Sequence, residues 1–224
     1  MKIASYIDHT ILKPTTTLSD VEKLCMEAGE YGFAAVCVPP PFVKRCHDIL
    51  KSTSVKVATV IGFPFGYSAI EAKLAESVLA IVDGADELDM VINLIALKGN
   101  DWDYLEKEVK LILELVRNKN KVLKVIIESG VLTDEEIIRC CELYGAAGID
   151  YLKTSTGYAE RGATLEAVQL MRRYLPSGIR IKASGGIRTY EFAKQLVEAG
   201  ADRLGCSSSV AIAKGEAPVP GSGY

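Results

Sequence analysis

Three lysines stand inside β-branched runs of this chain: Lys124 in KVLKVIIES, Lys153 in DYLKTST and Lys182 in RIKASGG. Each is 29 residues from the next, about the length of one strand–helix unit. They therefore occupy comparable places on three consecutive strands. Side chains alternate across a strand. Lys124, Ile126 and Glu128 share one face, as do Tyr151, Lys153 and Ser155. In ELDMVIN, Glu87, Asp89, Val91 and Asn93 lie opposite Leu88, Met90 and Ile92. The apolar faces can pack under helices, and the charged faces must then meet in the interior. One reading is that these charges neutralise one another as buried pairs. Another is a register shifted by one, with a lysine snorkelling to water. Three lysines in register with an aspartate favour chemistry, because burying several charges is costly. A lysine beside a second cation in a low-dielectric site loses its proton more easily. Its neutral amine can then attack a carbonyl carbon. Position alone leaves open which lysine attacks.

A second constellation is Ser184-Gly185-Gly186-Ile187 with Leu204-Gly205-Cys206-Ser207-Ser208-Ser209. Glycines let backbone N–H groups approach an anion, serines add hydroxyl donors, and a helix start adds a favourable dipole. Turn and cap chemistry is the plainer explanation for either loop alone. Together they point to a phosphate site. Metal chemistry has little support. The only histidines are His9 and His47, and none of the six cysteines forms a CxxC pair. Vicinal Cys140 and Cys141 read as packing, as do Cys37 and Cys206. Tyr31, Phe63 and Phe65 read as packing or loop closure.

The elements that must position these residues alternate. Candidate strands centre on Ile7, Val36, Thr59, Asp89, Val125, Leu152, Ile181 and Leu204. Between them lie helical patterns such as 19–32 and 133–148, each with a Ser or Thr start. Glycine turns at GAD (84–86), AGID (147–150) and AGAD (199–202) end helices before strands. Eight strand–helix units predict a parallel sheet closed as a single-domain (β/α)8 barrel over residues 1–216. In such barrels a phosphate often binds the loops after strands seven and eight. An open doubly wound sheet is the alternative, but its GxGxxG is missing. Residues 217–224, APVPGSGY, read as a flexible C-terminal tail.

A net charge of −3, from 26 basic and 29 acidic residues, gives no reason to expect a nucleic-acid partner. The aliphatic runs stop well short of the roughly 20 residues that a membrane span needs. The N-terminus reads as lacking a signal peptide, so the cysteines are expected to be reduced thiols of a cytoplasmic protein.

The ordered motifs IDHTILKP (7–14), VCVPPPFV (36–43), VATVIGFPFG (57–66), GADELDMVIN (84–93), KVIIESG (124–130), YLKTSTG (151–157), IKASGGIRT (181–189) and GADRLGCSSS (200–209) cover nearly the whole chain. In these the sequence resembles the deoxyribose-phosphate aldolases, in their short bacterial or archaeal form. The resemblance implies a class I lyase acting without a metal or other cofactor. Its implied reaction is reversible cleavage of 2-deoxy-D-ribose 5-phosphate to D-glyceraldehyde 3-phosphate and acetaldehyde, in deoxynucleoside catabolism. It implies Lys153 as the Schiff-base lysine, with Asp89 and Lys182 as the proton-transfer pair. Gly185, Gly186, Gly205, Ser207, Ser208 and Thr156 are the expected substrate-binding residues. Asp8, Lys124 and Tyr224 are expected in support. A homo-oligomer, dimer or tetramer, is a family expectation. Some relatives carry a lysine after the glycine of KTSTG, where this chain has Tyr158, so any help of that lysine with phosphate is absent. The rival readings are a Schiff-base aldolase for another sugar phosphate and a non-catalytic sugar-phosphate-binding barrel.

Overall fold

A computed structural model describes residues 2–216. Eight parallel strands run Ile7–Thr10 (β1), Ala35–Val38 (β2), Lys56–Ile61 (β3), Glu87–Val91 (β4), Val122–Ile126 (β5), Tyr151–Lys153 (β6), Arg180–Ser184 (β7) and Arg203–Cys206 (β8). They pair in chain order and β8 closes on β1, so the sheet is a barrel. Every strand centre expected from sequence falls inside an observed strand.

Helices α1 (Leu18–Tyr31), α2 (Val43–Leu50), α3 (Ile70–Val82), α4 (Leu94–Lys98), α5 (Trp102–Asn118), α6 (Asp134–Ala147), α7 (Leu165–Tyr174) and α8 (Tyr190–Glu198) connect the strands, and α9 (Ser209–Lys214) follows β8. Residues 133–148 behave as their sequence suggests. Thr133 caps α6 in a reciprocal capping box with Glu136, and Gly148 closes it at φ 75°. For α1 the expected start at Ser19 is corrected. Thr17 is the cap, because its side chain and that of Asp20 satisfy each other's backbone N–H groups. None of the helices among the described residues is long and apolar enough to cross a membrane.

Two layers divide the side chains of each strand. The outer layer is aliphatic: Val36, Val57, Leu88, Met90, Val125, Leu152, Ile181 and Leu204 pack under the helices. Each is removed from water, at roughly 1.5–3 kcal/mol per large aliphatic side chain. The lumen is apolar toward β2 and β3, where Ala35, Cys37, Ala58 and Val60 meet Leu12. Charged side chains of β1 and of β4 to β8 enter it elsewhere, beside the buried Val91 and Ile126.

A repeated device anchors alternate strands. Asp86, Asp150 and Asp202, each just before an even-numbered strand, accept hydrogen bonds from Val57, Leu123 and Ile181 N–H at 3.1, 2.9 and 2.9 Å. Each aspartate satisfies an N–H group near the start of the preceding odd-numbered strand.

Candidate active site

The register places Lys153 directly opposite Lys182 on β6 and β7. Asp89 faces Lys124 on β4 and β5. Lys124 is not level with the other two lysines, however: its neighbour on β6 is Tyr151, two residues before Lys153. The 29-residue spacing holds in sequence, but β5 and β6 pair with an offset of 27 residues, as Lys124 with Tyr151. The equal spacing therefore overstated how similarly the three are placed.

Asp89 is the hub. Lys124 Nζ donates to its Oδ1 at 2.6 Å, and Lys153 and Lys182 both donate to its Oδ2 at 2.7 Å. Lys182 also reaches Asp8 Oδ2 at 2.5 Å, and Lys124 reaches Glu87 Oε2 at 2.6 Å. Arg203 closes the network, 2.6 Å from Asp8 and 3.3 Å from Glu87. Lys124, Lys182, Asp8 and Asp89 are wholly buried and Lys153 is 2% exposed.

Burial and neighbouring charge separate the two facing amines. Burial disfavours the ammonium of Lys153, and the nearby Lys182 adds to that, so Lys153 is held below the usual lysine range despite Asp89. Lys182 is equally buried, but the carboxylates of Asp8 and Asp89 outweigh the burial and hold it well above that range. Asp89 and Asp8 experience the reverse. Burial pushes each up, yet the surrounding cations keep both far below ordinary carboxylates. The result is an amine that gives up its proton more easily than an ordinary lysine beside one that holds it firmly, both on one carboxylate oxygen. This is the arrangement a lysine nucleophile requires.

Gly205 joins this cluster to the second constellation. A Cβ there would stand 3.2 Å from Lys182 Cε and 2.8 Å from Ser184 Cβ, so only glycine leaves the ammonium stem its place. A cleft of about 230 Å³ opens beside it, lined by Gly157, Gly162, Gly185, Gly186, Gly205 and Ser207, with Arg188 and Glu160 at its edge. Gly185 and Gly186 have φ of 87° and 77°, a left-handed turn that suits glycine. Ser208 instead lines a larger pocket of about 520 Å³ with His9, Lys13 and Glu27, which contains none of the lumen lysines. Thr156 lies off the cleft. Its N–H and hydroxyl are given to the buried carboxylate of Glu128. Tyr224 lies outside the described residues.

Several residues here had not been singled out from sequence. Arg203 begins a strand beside Asp202 and reads as a solvated flank. Glu87 shares the face of Asp89, which was its only signal. Arg188 lies in a loop, with no periodicity to mark it. Tyr158, noted only as a departure, donates its hydroxyl to the Leu12 carbonyl at 2.8 Å and packs edge-on against Phe63. It thereby ties the loops after β1, β3 and β6 across the barrel mouth. Cys37 lines the lumen and burial pushes its thiol up, whereas Cys206 faces the outer core. Cys140 and Cys141 are buried in α6. His47 is exposed on α2.

Known proteins share this architecture and sequence. The chain is 51% identical over 215 residues to a deoxyribose-phosphate aldolase of Thermoanaerobacter pseudethanolicus, covering 96% of each protein. It is 52% identical over 217 residues to one of Thermococcus gammatolerans, again covering 96% of each. Among solved structures, an aldolase 43% identical superposes with a TM-score of 0.91, covering 96% of this chain and 95% of that one. The deoxyribose phosphate aldolase of Aeropyrum pernix, described as having a unique tetrameric structure, is 35% identical with a TM-score of 0.88, covering 95% and 89%. The family model described as DeoC/LacD family aldolase matches residues 2–214. A closed barrel with a lysine-rich lumen, matched over this length at this identity, leaves one assignment: the chain belongs to the DeoC/LacD family of aldolases.

Proposed function

We propose that this chain cleaves 2-deoxy-D-ribose 5-phosphate, reversibly, to D-glyceraldehyde 3-phosphate and acetaldehyde through a Schiff base on Lys153. The observation that carries this reading is the pair of amines on Asp89 Oδ2. Lys153 has that one carboxylate contact, and Lys182 has two. Curated relatives at about half identity bear the name of this activity.

Neutral Lys153 attacks C1 of the open-chain aldehyde. Lys182 supplies the proton with which the carbinolamine hydroxyl leaves as water, and Asp89 holds the two amines together. The iminium draws the electron pair of the C2–C3 bond as the 3-hydroxyl gives up its proton, and glyceraldehyde 3-phosphate departs. Protonation of the enamine at C2 and hydrolysis of the iminium release acetaldehyde and restore the amine. Asp8 and Lys124 hold Lys182 and Asp89 in their paired state. Gly185, Gly186, Gly205 and Ser207 take the phosphate, with Arg188 as a nearby cation. Binding there fixes the substrate away from the reacting carbons. The same reading makes the protein a cytoplasmic homo-oligomer. The six free, buried cysteines and the tetrameric relative support that.

Incubation with 2-deoxyribose 5-phosphate in the presence of a chelator tests this reading. Equal amounts of both products are expected, with ribose 5-phosphate a far poorer substrate. No turnover, or turnover only after zinc is restored, would contradict it.

A further inference from the structure

The chain after β5 breaks its own ladder. Ile127 and Ser129 N–H donate to the carbonyls of two consecutive residues, Lys153 at 3.1 Å and Thr154 at 2.7 Å. Glu128 is therefore an extra residue, as in a β-bulge, which ends pairing and re-aims a side chain. Its backbone is left-handed, at φ 54° and ψ 56°. The other non-glycine residues of positive φ among the described residues are Asn100 and Asn120, a type that tolerates this conformation. A glutamate keeps it only where its surroundings hold it there.

Those surroundings are the start of the loop after β6. The buried Glu128 carboxylate accepts the Thr156 N–H at 3.1 and 3.3 Å, one distance to each oxygen, and the Thr156 hydroxyl bonds to Oε2. With its proton given to Glu128, Thr156 Oγ1 is left to accept the Tyr158 N–H at 3.0 Å. The Tyr158 hydroxyl in turn reaches the Leu12 carbonyl. An ionised carboxylate only accepts, so it fixes the direction of the bonds at Thr156. Burial pushes the Glu128 carboxyl up, against the Thr156 bonds and the nearby charge of Lys153.

The same short segment supports the far end of that loop. Gly130 approaches Arg161 so closely that a Cβ would stand 2.2 Å from the Arg161 carbonyl oxygen, and Arg161 Nη2 donates to the Gly130 carbonyl at 2.9 Å. Between the two supports lie Gly157, Ala159, Glu160 and Gly162, one wall of the anion cleft. Gly162 abuts the other wall, where a Cβ would stand 2.2 Å from the Gly185 carbonyl oxygen. Glu128 does not line the cleft.

We propose that Glu128 is a positioning residue for phosphate recognition: by accepting both donors of Thr156 it sets the 157–162 wall of the cleft, and so favours phosphorylated sugars without touching them. The proposal rests on the reading of that cleft as the phosphate site and adds to it a residue that the cleft does not contain.

The test is the ratio of kcat/KM for 2-deoxyribose 5-phosphate to that for unphosphorylated deoxyribose, with folding followed by circular dichroism. Thr156→Val removes the hydroxyl and changes no charge. It should lower the ratio by about tenfold, mainly by raising KM for the phosphorylated sugar, the scale of a lost hydrogen bond to a charged group. Thr156→Ser keeps the hydroxyl and should keep the ratio. Glu128→Gln keeps the side-chain length and turns one acceptor into a donor, so it should lower the ratio likewise. Its loss of a negative charge near Lys153 acts on both sugars alike and cancels in the ratio. The double variant Glu128→Gln/Thr156→Val should be no worse than the worse single variant, because the two residues act through one contact. A ratio unchanged in either folded single variant, equal losses on both sugars, or additive losses in the double variant overturn the proposal. If Glu128→Gln does not fold, Thr156→Val against Thr156→Ser still decides. A wild-type protein with no preference for the phosphorylated sugar would instead sink the reading of the cleft itself.

Discussion

Replacing Lys182 with methionine removes one positive charge and leaves the stem. Lys153 and Lys182 each sit 2.7 Å from Asp89 Oδ2, so their nitrogens are at most about 5.4 Å apart. At an effective dielectric constant of about 20, two unit charges at that distance repel by about 3 kcal/mol. That corresponds to about two pH units on the partner's titration. The sign follows directly. Lys153 must be neutral to attack, and the loss of Lys182 makes its ammonium easier to keep. Asp89 Oδ2, freed of one donor, holds it more firmly still. The acid limb of kcat/KM should therefore rise by about two units. The plateau should fall by about 10²–10⁴, the scale of a lost general acid. The fold should survive, because Asp8 keeps Arg203 and Asp89 keeps Lys124. The assay is kcat/KM against pH, with adduct trapping alongside to separate imine formation from later steps. An acid limb that stays in place or moves down in the folded variant would refute the charge argument.

A Cβ at Gly186 meets no atom within 4 Å, but its φ of 77° strains any side chain, so Gly186→Asp is read against Gly186→Asn, which shares the strain and lacks the charge. KM for the phosphorylated sugar should rise at least about tenfold, with unphosphorylated deoxyribose little affected; equal loss on both would mean that the loop serves folding. Lys73 is wholly buried, donates to the Val91 carbonyl and to Glu108 at 2.7 Å, and so fastens the end of β4 to α5. Lys73→Met should cost about 3–5 kcal/mol in urea unfolding, since it strands a buried carboxylate. Asp8 and Asp89 are held well below ordinary carboxylates. Their contribution to stability is full above the unfolded value of about 3.9 and is lost as pH falls below it toward their folded values. Acid titration of the unfolding midpoint should show that loss.

The barrel was legible because its two layers differ in kind. Aliphatic and charged faces alternate in ELDMV and RIKAS, and that period marked both strands and lumen. Glycine turns before strands were legible too. The aspartates of the same turns were not, because their partners are N–H groups of another strand, 21–29 residues away. Lys153, Lys182 and Asp89 stood out as charges inside apolar runs. Arg203 did not, because a charged residue at a strand start normally faces water. The level of Lys124 escaped as well, since register between neighbouring strands depends on the stagger of the closed barrel. Thr156 shows the limit of motif carry-over. Its hydroxyl is engaged by Glu128, which holds a left-handed backbone at φ 54°, and nothing in KTSTG signals that partner.

The proposed mechanism turns on Lys153 as the amine that bonds to substrate. Trapping with acetaldehyde and cyanoborohydride, followed by peptide mass mapping, measures it directly. A single two-carbon adduct on Lys153 is expected, absent from Lys153→Leu with the fold intact. An adduct on Lys182, or one that persists in Lys153→Leu, would contradict it.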